Sequence, residues 1–132
     1  MKAEFYLWID GVDFDPKYFD FNLQPDLRGQ VLMRKKVIDG EVFPDSYYWR
    51  SKSVPLELGN IDLDLFYFMT KYEKSIANLK KERVRIFLEI VFAYSRGEDV
   101  NGFFLSAETI TLISRMGANL DLDIVRDLSK SD

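Results

Sequence analysis

The chain has neither cysteine nor histidine in its 132 residues. Without cysteine there are no disulfides, no thiolate nucleophile and no Cys-ligated zinc, a pattern that suits a reducing compartment. The missing histidine excludes more, because imidazole is the usual general base near neutral pH and the commonest metal ligand. Serine–histidine triads, histidine-assisted RNA cleavage and histidine-ligated metals are all ruled out. Basic charge is also short: 18 Lys and Arg stand against 22 Asp and Glu, for a net charge of −4. That balance argues against general nucleic-acid binding, which needs surplus cations to neutralise phosphates. The longest apolar stretch, around Phe87, is broken by Glu89 and is too short to span a bilayer. Met1-Lys2-Ala3-Glu4 lacks the shape of a signal peptide. Gly11 and Gly97 are isolated turn glycines, so no phosphate-cradling loop is present. The expectation is a soluble, cytoplasmic protein with no cofactor, metal, membrane or nucleic-acid partner.

What the chain does have is 47% apolar and 15% aromatic residues. At this length a single domain buries roughly two-thirds of its unfolded surface without staples. No internal repeat or linker divides it, so residues 1–132 read as one domain.

Residues 3–9 alternate as a strand, with Ala3, Phe5, Leu7 and Ile9 on one face and Glu4, Tyr6, Trp8 and Asp10 on the other. Asp15 and Pro16 open a short helix as N-cap and first helical residue, with Phe19 and Leu23 facing inward, and Gln24-Pro25 closes it. Gln30 to Ile38 reads as a second strand followed by an Asp39-Gly40 turn, and Tyr47 to Ser51 as a third. From Ile61 to Arg83 the spacing is helical, with Ile61, Leu65, Phe68, Tyr72, Ile76 and Leu79 on one face. Asn60 or Asp62 is positioned to cap this helix, and Lys80-Lys81 to complement its C-terminal dipole. Val84 to Tyr94 is the strongest strand in the chain. Ser106 caps a last helix with Ile110, Ile113 and Met116 inward, ended by Gly117. Leu120 to Ile124 forms a closing strand with one buried face and one acidic face. The resulting order, β-α-β-β-α-β-α-β, predicts an α+β fold: a mainly antiparallel sheet with helices on one side, partly ferredoxin-like.

Several clusters bear on function. Asp10, Asp13 and Asp15 form the densest acidic group, but their spacing is not that of a calcium loop, and Asp15 is committed to the cap. Asp121 and Asp123 lie two apart on a strand face. As an acid–base pair they would need a raised pKa on one partner and a pocket; otherwise they are the wet face of an edge strand. Charge is polarised along the chain. Residues 28–52 hold six basic residues against three acidic ones, a net of +3, whereas residues 1–27 hold two against six, a net of −4. Tyr47-Tyr48-Trp49-Arg50 has the composition of an interface hot spot. Because strand neighbours face opposite ways, a buried Trp49 would leave Tyr48 and Arg50 outside, beside Trp8 and Tyr6.

Gly102-Phe103-Phe104-Leu105-Ser106, a helix, then Gly117 and Leu120-Asp121-Leu122-Asp123-Ile124 resembles the ending of the bacterial domain-of-unknown-function 4279 family. Its members carry Gly-Phe-x-Leu-Ser, a helix and Gly-x-x-Leu-Asp-x-Asp-Ile, usually followed by an aromatic residue. Gly11, Asp13, Asp15 and Pro16 with Leu23 and Pro25, Trp49 followed by Ser51, and the helix from Leu63 to Leu79 are also similar. The chain departs from the pattern at Val125, where the aromatic is usual, and lacks the histidine often found early in the long helix, near Leu65. The resemblance implies no reaction. It implies kinship with small acidic proteins of polymorphic-toxin loci that neutralise a cognate toxin.

The leading expectation is therefore a non-enzymatic immunity or antitoxin protein that binds its cognate toxin one-to-one. Its expected partner-binding residues are Asp13, Tyr48, Arg50, Glu98, Asp99, Asp121 and Asp123. The alternatives are a small-molecule sensor with an enclosed pocket lined by Tyr6, Trp8 and Tyr94, or an enzyme working through carboxylates with separated pKa values.

Overall fold

The alternation of β1 (Lys2–Gly11) sets the architecture. Ala3, Phe5, Leu7 and Ile9 are all buried on one face. A computed structural model of the protein describes residues 2–12, 14–79, 84–97 and 103–126. After β1 come α1 (Pro16–Asn22), β2 (Gln30–Ile38), β3 (Glu41–Arg50), β4 (Val54–Leu56), α2 (Ile61–Ala77), β5 (Val84–Tyr94), α3 (Ala107–Arg115) and β6 (Ala118–Arg126). Single-turn 3₁₀ helices at Pro25–Leu27 and Leu58–Asn60 precede β2 and α2.

The fold is α+β, with one six-stranded sheet in the order β2-β3-β1-β5-β6 and β4 paired to β1. All pairings are antiparallel except β5 with β6, which run parallel because α3 forms the crossover between them. The run β2-β3-β1-β5 is the order of a split βαβ unit. β6 extends it by one strand.

The core lies on a single face of the sheet. There Phe5 meets Phe68 edge-on at 4.4 Å, and Trp49 packs between Phe19 and Tyr72 at 4.7 and 5.6 Å. Trp49 is fully buried, and its Nε1–H donates to Asp20 Oδ1 at 3.0 Å. The same oxygen accepts the Gly29 N–H at 2.8 Å, so one carboxylate ties α1 to β3 and to the entry of β2. Gly29 sits so close to β3 that an added Cβ would collide with the Arg50 carbonyl.

Several elements differ from the reading of the sequence. β3 begins at Glu41 rather than Tyr47. Asp39 and Gly40 both take positive φ (50° and 79°), the primed turn that matches strand twist, and the ladder absorbs an extra residue at the Arg34/Lys35 register shift. Because β1 pairs with β3 only from Tyr47 to Arg50, the rest of the β2–β3 hairpin projects beyond the sheet. β4 is an unforeseen strand, since Pro55 sits in its middle; only three residues long, it pairs with β1 from Ala3 to Phe5. α2 stops at Ala77, capped by Asn78, and Lys80-Lys81 lies outside the described residues. Asn60 makes no side-chain cap. Asp62 Oδ1 instead accepts the Ser106 N–H at 2.7 Å and clamps α3 onto α2. On α3 the buried stripe is Thr109, Leu112, Ile113 and Met116, while Ile110 is 54% exposed. Ile113 and Met116 face inward as expected, and only Ile110 departs: Thr109, 3.1 Å from the Ser106 hydroxyl, turns inward in its place.

Trp49→Ala is expected to cost about 3–5 kcal/mol, because nothing nearby can refill the indole volume. Asp20→Ala should cost about 1–3 kcal/mol by orphaning two donors. Urea unfolding midpoints measure both, and an unchanged midpoint for Asp20→Ala would mean that neither donor depends on that carboxylate.

Candidate functional site

With the helices on one side, the opposite sheet face is lined by the other half of each strand's alternation. On β1 these residues are Tyr6, Trp8 and Asp10; on β3, Tyr48 and Arg50; on β5, Arg85, Phe87 and Glu89; on β6, Asp121 and Asp123. Register places Trp8 opposite both Arg50 and Phe87, and Glu89 opposite Asp121.

The centre of this face is aromatic. Trp8 stacks on Phe87 with centroids 4.2 Å apart and planes 8° from parallel, and Tyr48 lies 6.3 Å away on its other side. Arginines cover the rings: Arg50 sits 3.8 Å above Tyr6, and Arg34 lies 5.1 Å from the Tyr48 centroid. Delocalised guanidinium groups shed water more readily than ammonium and stack on ring faces. As expected once Trp49 is buried, Tyr48 and Arg50 share a face with Trp8 and Tyr6. At one end Asp10 is only 4% exposed, and Arg85 grips it with two bonds of 3.0 and 2.6 Å. Removing either partner would leave a buried charge or an unused fork.

The other end is acidic. Carboxylate oxygens of Glu89, Asp121 and Asp123 lie within 4.8 Å of one another. Glu89 is 5% exposed, and the Trp8 Nε1–H donates to its Oε2 at 3.4 Å. Burial, reinforced by hydrogen bonding with Asp123 and Asp121 and by the charge of Asp121, pushes the Glu89 carboxyl up to about 7. Glu89 therefore takes up a proton near neutral pH. Each member could offer one oxygen to a hard cation, although such a cation needs several more. Glu89 was not among the residues expected from the sequence. The available signal is a lone carboxylate amid Ile86-Phe87-Leu88 and Ile90-Val91-Phe92, which in the sequence alone reads as an interruption of an apolar run.

Of the expected contact residues, Tyr48, Arg50, Asp121 and Asp123 fall on this one face. Asp13, Glu98 and Asp99 lie outside the described residues. Tyr94 points to the helix side of β5, so it cannot line a pocket with Tyr6 and Trp8 as the sensor reading required. A cleft of about 590 Å³ lies elsewhere, between Val12, Phe14 and Lys17 and the strand residues Met33 and Tyr47. Among the described residues, no helix is long and apolar enough to cross a membrane. No family model, curated protein or solved structure matches the chain.

The Glu89 environment has a measurable consequence for stability. The folded state binds this proton more tightly than the unfolded chain, where the carboxyl titrates near 4.5. Its contribution to stability is therefore complete below about 4.5 and is lost as pH rises through about 7. Glu89→Gln should flatten that part of the stability profile and raise stability at pH 8 relative to the parent. Urea unfolding at pH 5 and pH 8 reads this directly; parallel profiles for the two proteins would contradict it.

Proposed function

We propose that this chain is a non-enzymatic binding protein that docks a protein partner on the bare face of its sheet, and that the partner is a bacterial toxin domain it neutralises. The observation that carries the reading is the gathering of Tyr6, Trp8, Tyr48 and Arg50 on the face without helices, beside a carboxylate trio. Trp, Tyr and Arg are the residue types that dominate interface energetics, and here their neighbours already hold them in place. Rings fixed by stacking lose little freedom on binding, which favours affinity.

The partner class rests on charge and on the resemblance to toxin-neutralising proteins. A chain of net charge −4 with acidic residues along one edge of its binding face complements a basic cleft of the kind used to grip nucleic acid. Occupying such a cleft blocks the toxin without any chemistry by the inhibitor. The same carboxylates could in principle transfer protons, since Glu89 titrates near neutrality. They lie on an open sheet face, however, where binding is the simpler use. A small-molecule sensor remains the second reading, now located at the cleft beside Lys17 and Met33.

The test is a calorimetric titration with the C-terminal domain encoded immediately upstream of this gene. One-to-one binding that weakens with salt is expected. Tyr48→Ala or Arg50→Ala should each lower affinity about 30-fold, the loss of a hot-spot contact of about 2 kcal/mol. Absence of binding at high concentration would remove the toxin-neutralising reading, and full affinity in both variants would remove the bare face as its site.

A further inference from the structure

The two edges of the sheet are built differently. β2, at one edge, carries Arg34, Lys35 and Lys36 and has a register irregularity where it meets β3. Charge and irregularity are the usual devices that stop an edge strand from recruiting another. β6, at the other edge, carries charge as well, in Asp121, Asp123 and Arg126, but it has neither lysine nor proline and pairs with β5 through nine consecutive residues without a shift, so it lacks the irregularity of β2. Among the described residues, no further strand pairs with its outer side. In such a strand alternate residues turn their N–H and C=O outward, so the edge is a regular template for another chain.

Its side chains are equally distinctive. Leu120, Leu122 and Ile124 lie on the helix side, opposite the buried Leu88, Ile90 and Phe92, and were expected to be buried with them. They are instead 41, 46 and 61% exposed. On the other side stand Asp121 and Asp123, with Glu89 behind them. The edge thus offers an apolar row on one face and a negative row on the other.

We propose that the outer edge of β6 is a docking site for an extended partner segment that alternates apolar with Lys or Arg side chains and adds to the sheet as a further strand. Backbone bonding supplies affinity in this mode, and alternate side chains supply selectivity. The apolar row of the incoming strand covers Leu120, Leu122 and Ile124. Its basic row meets Asp121 and Asp123, continuing the bare face outward. A second copy of this chain fits poorly, because a two-fold pairing of β6 with itself sets like charges opposite one another. The inference rests on the reading that the chain binds a protein, and it specifies the segment such a protein would present.

The test uses a blocked nine-residue peptide alternating valine and lysine, titrated into the isotope-labelled chain and followed by NMR. Shifts centred on β6 are expected, with binding that weakens as salt rises. Leu122→Lys, which leaves the carboxylates in place, and the pair Asp121→Lys with Asp123→Lys should each weaken binding tenfold or more. Because all three positions lie on the sheet surface, amide spectra of the variants serve as a check on folding. A peptide with its outward amides N-methylated should not bind. Equal binding of the methylated peptide, or of a valine–glutamate peptide, would overturn the proposal, as would shifts centred away from β6. Dimerisation through β6 at rising concentration would overturn it too, by giving the edge to a second copy. If the upstream domain binds and the peptide does not, only the edge proposal fails. If the peptide binds and the domain does not, the toxin-neutralising reading fails alone.

Discussion

Everything in this structure follows from the placement of all three helices on one side of the sheet. That arrangement gives half of every strand a shared core, in which Phe5, Leu7, Leu88 and Ile90 are almost completely buried. It also leaves the other half to stabilise itself. The bare face does so with rings and charges arranged in pairs. Trp8 lies on Phe87, Arg50 over Tyr6, and Arg85 grips Asp10. Residues that satisfy one another in this way need no helix above them, so the surface stays flat, ordered and available.

The same one-sidedness explains the chemistry of the acidic end. Glu89 belongs to the row Arg85, Phe87, Glu89 and Val91 on β5, and β6 brings Asp121 directly beside it. Three carboxylates in such proximity cannot all be ionised cheaply, and the proton settles on the most buried of them. A cationic partner group would relieve the same repulsion. The protonation that stabilises the folded protein and the negative charge proposed to attract a partner therefore come from one arrangement.

Much of this was legible in the sequence. The faces of β1, the cap at Asp15 with Pro16, the limits of β2 and β5, and the α+β class all follow from short-range patterns. So does the position of Tyr48 and Arg50 opposite a buried Trp49, since alternation in a strand is a local property. What escaped was decided at a distance. β4 is a strand only because β1 has a free stretch from Ala3 to Phe5 for it to pair with. Asp62 serves α3 rather than its own helix, because the two helices cross where Ser106 needs an acceptor. The Glu89 cluster depends on β6 lying parallel beside β5, which no local pattern specifies. The exposure of Leu122 and Ile124 likewise is a matter of what packs over the strand, not of what the strand itself looks like.

The proposed docking requires that the bare face, and not the helical face, meets the partner. The helical side has its own exposed rings, with Tyr18, Phe21 and Tyr67 at 69, 76 and 61% exposure, so the two surfaces can be compared within one experiment. Hydroxyl-radical footprinting of the chain, free and in complex, measures this residue by residue. Protection of Tyr6, Trp8, Tyr48 and the β6 leucines with unchanged labelling of Tyr18, Phe21 and Tyr67 is expected. Protection of Tyr18, Phe21 and Tyr67 with the sheet face still labelled would contradict it.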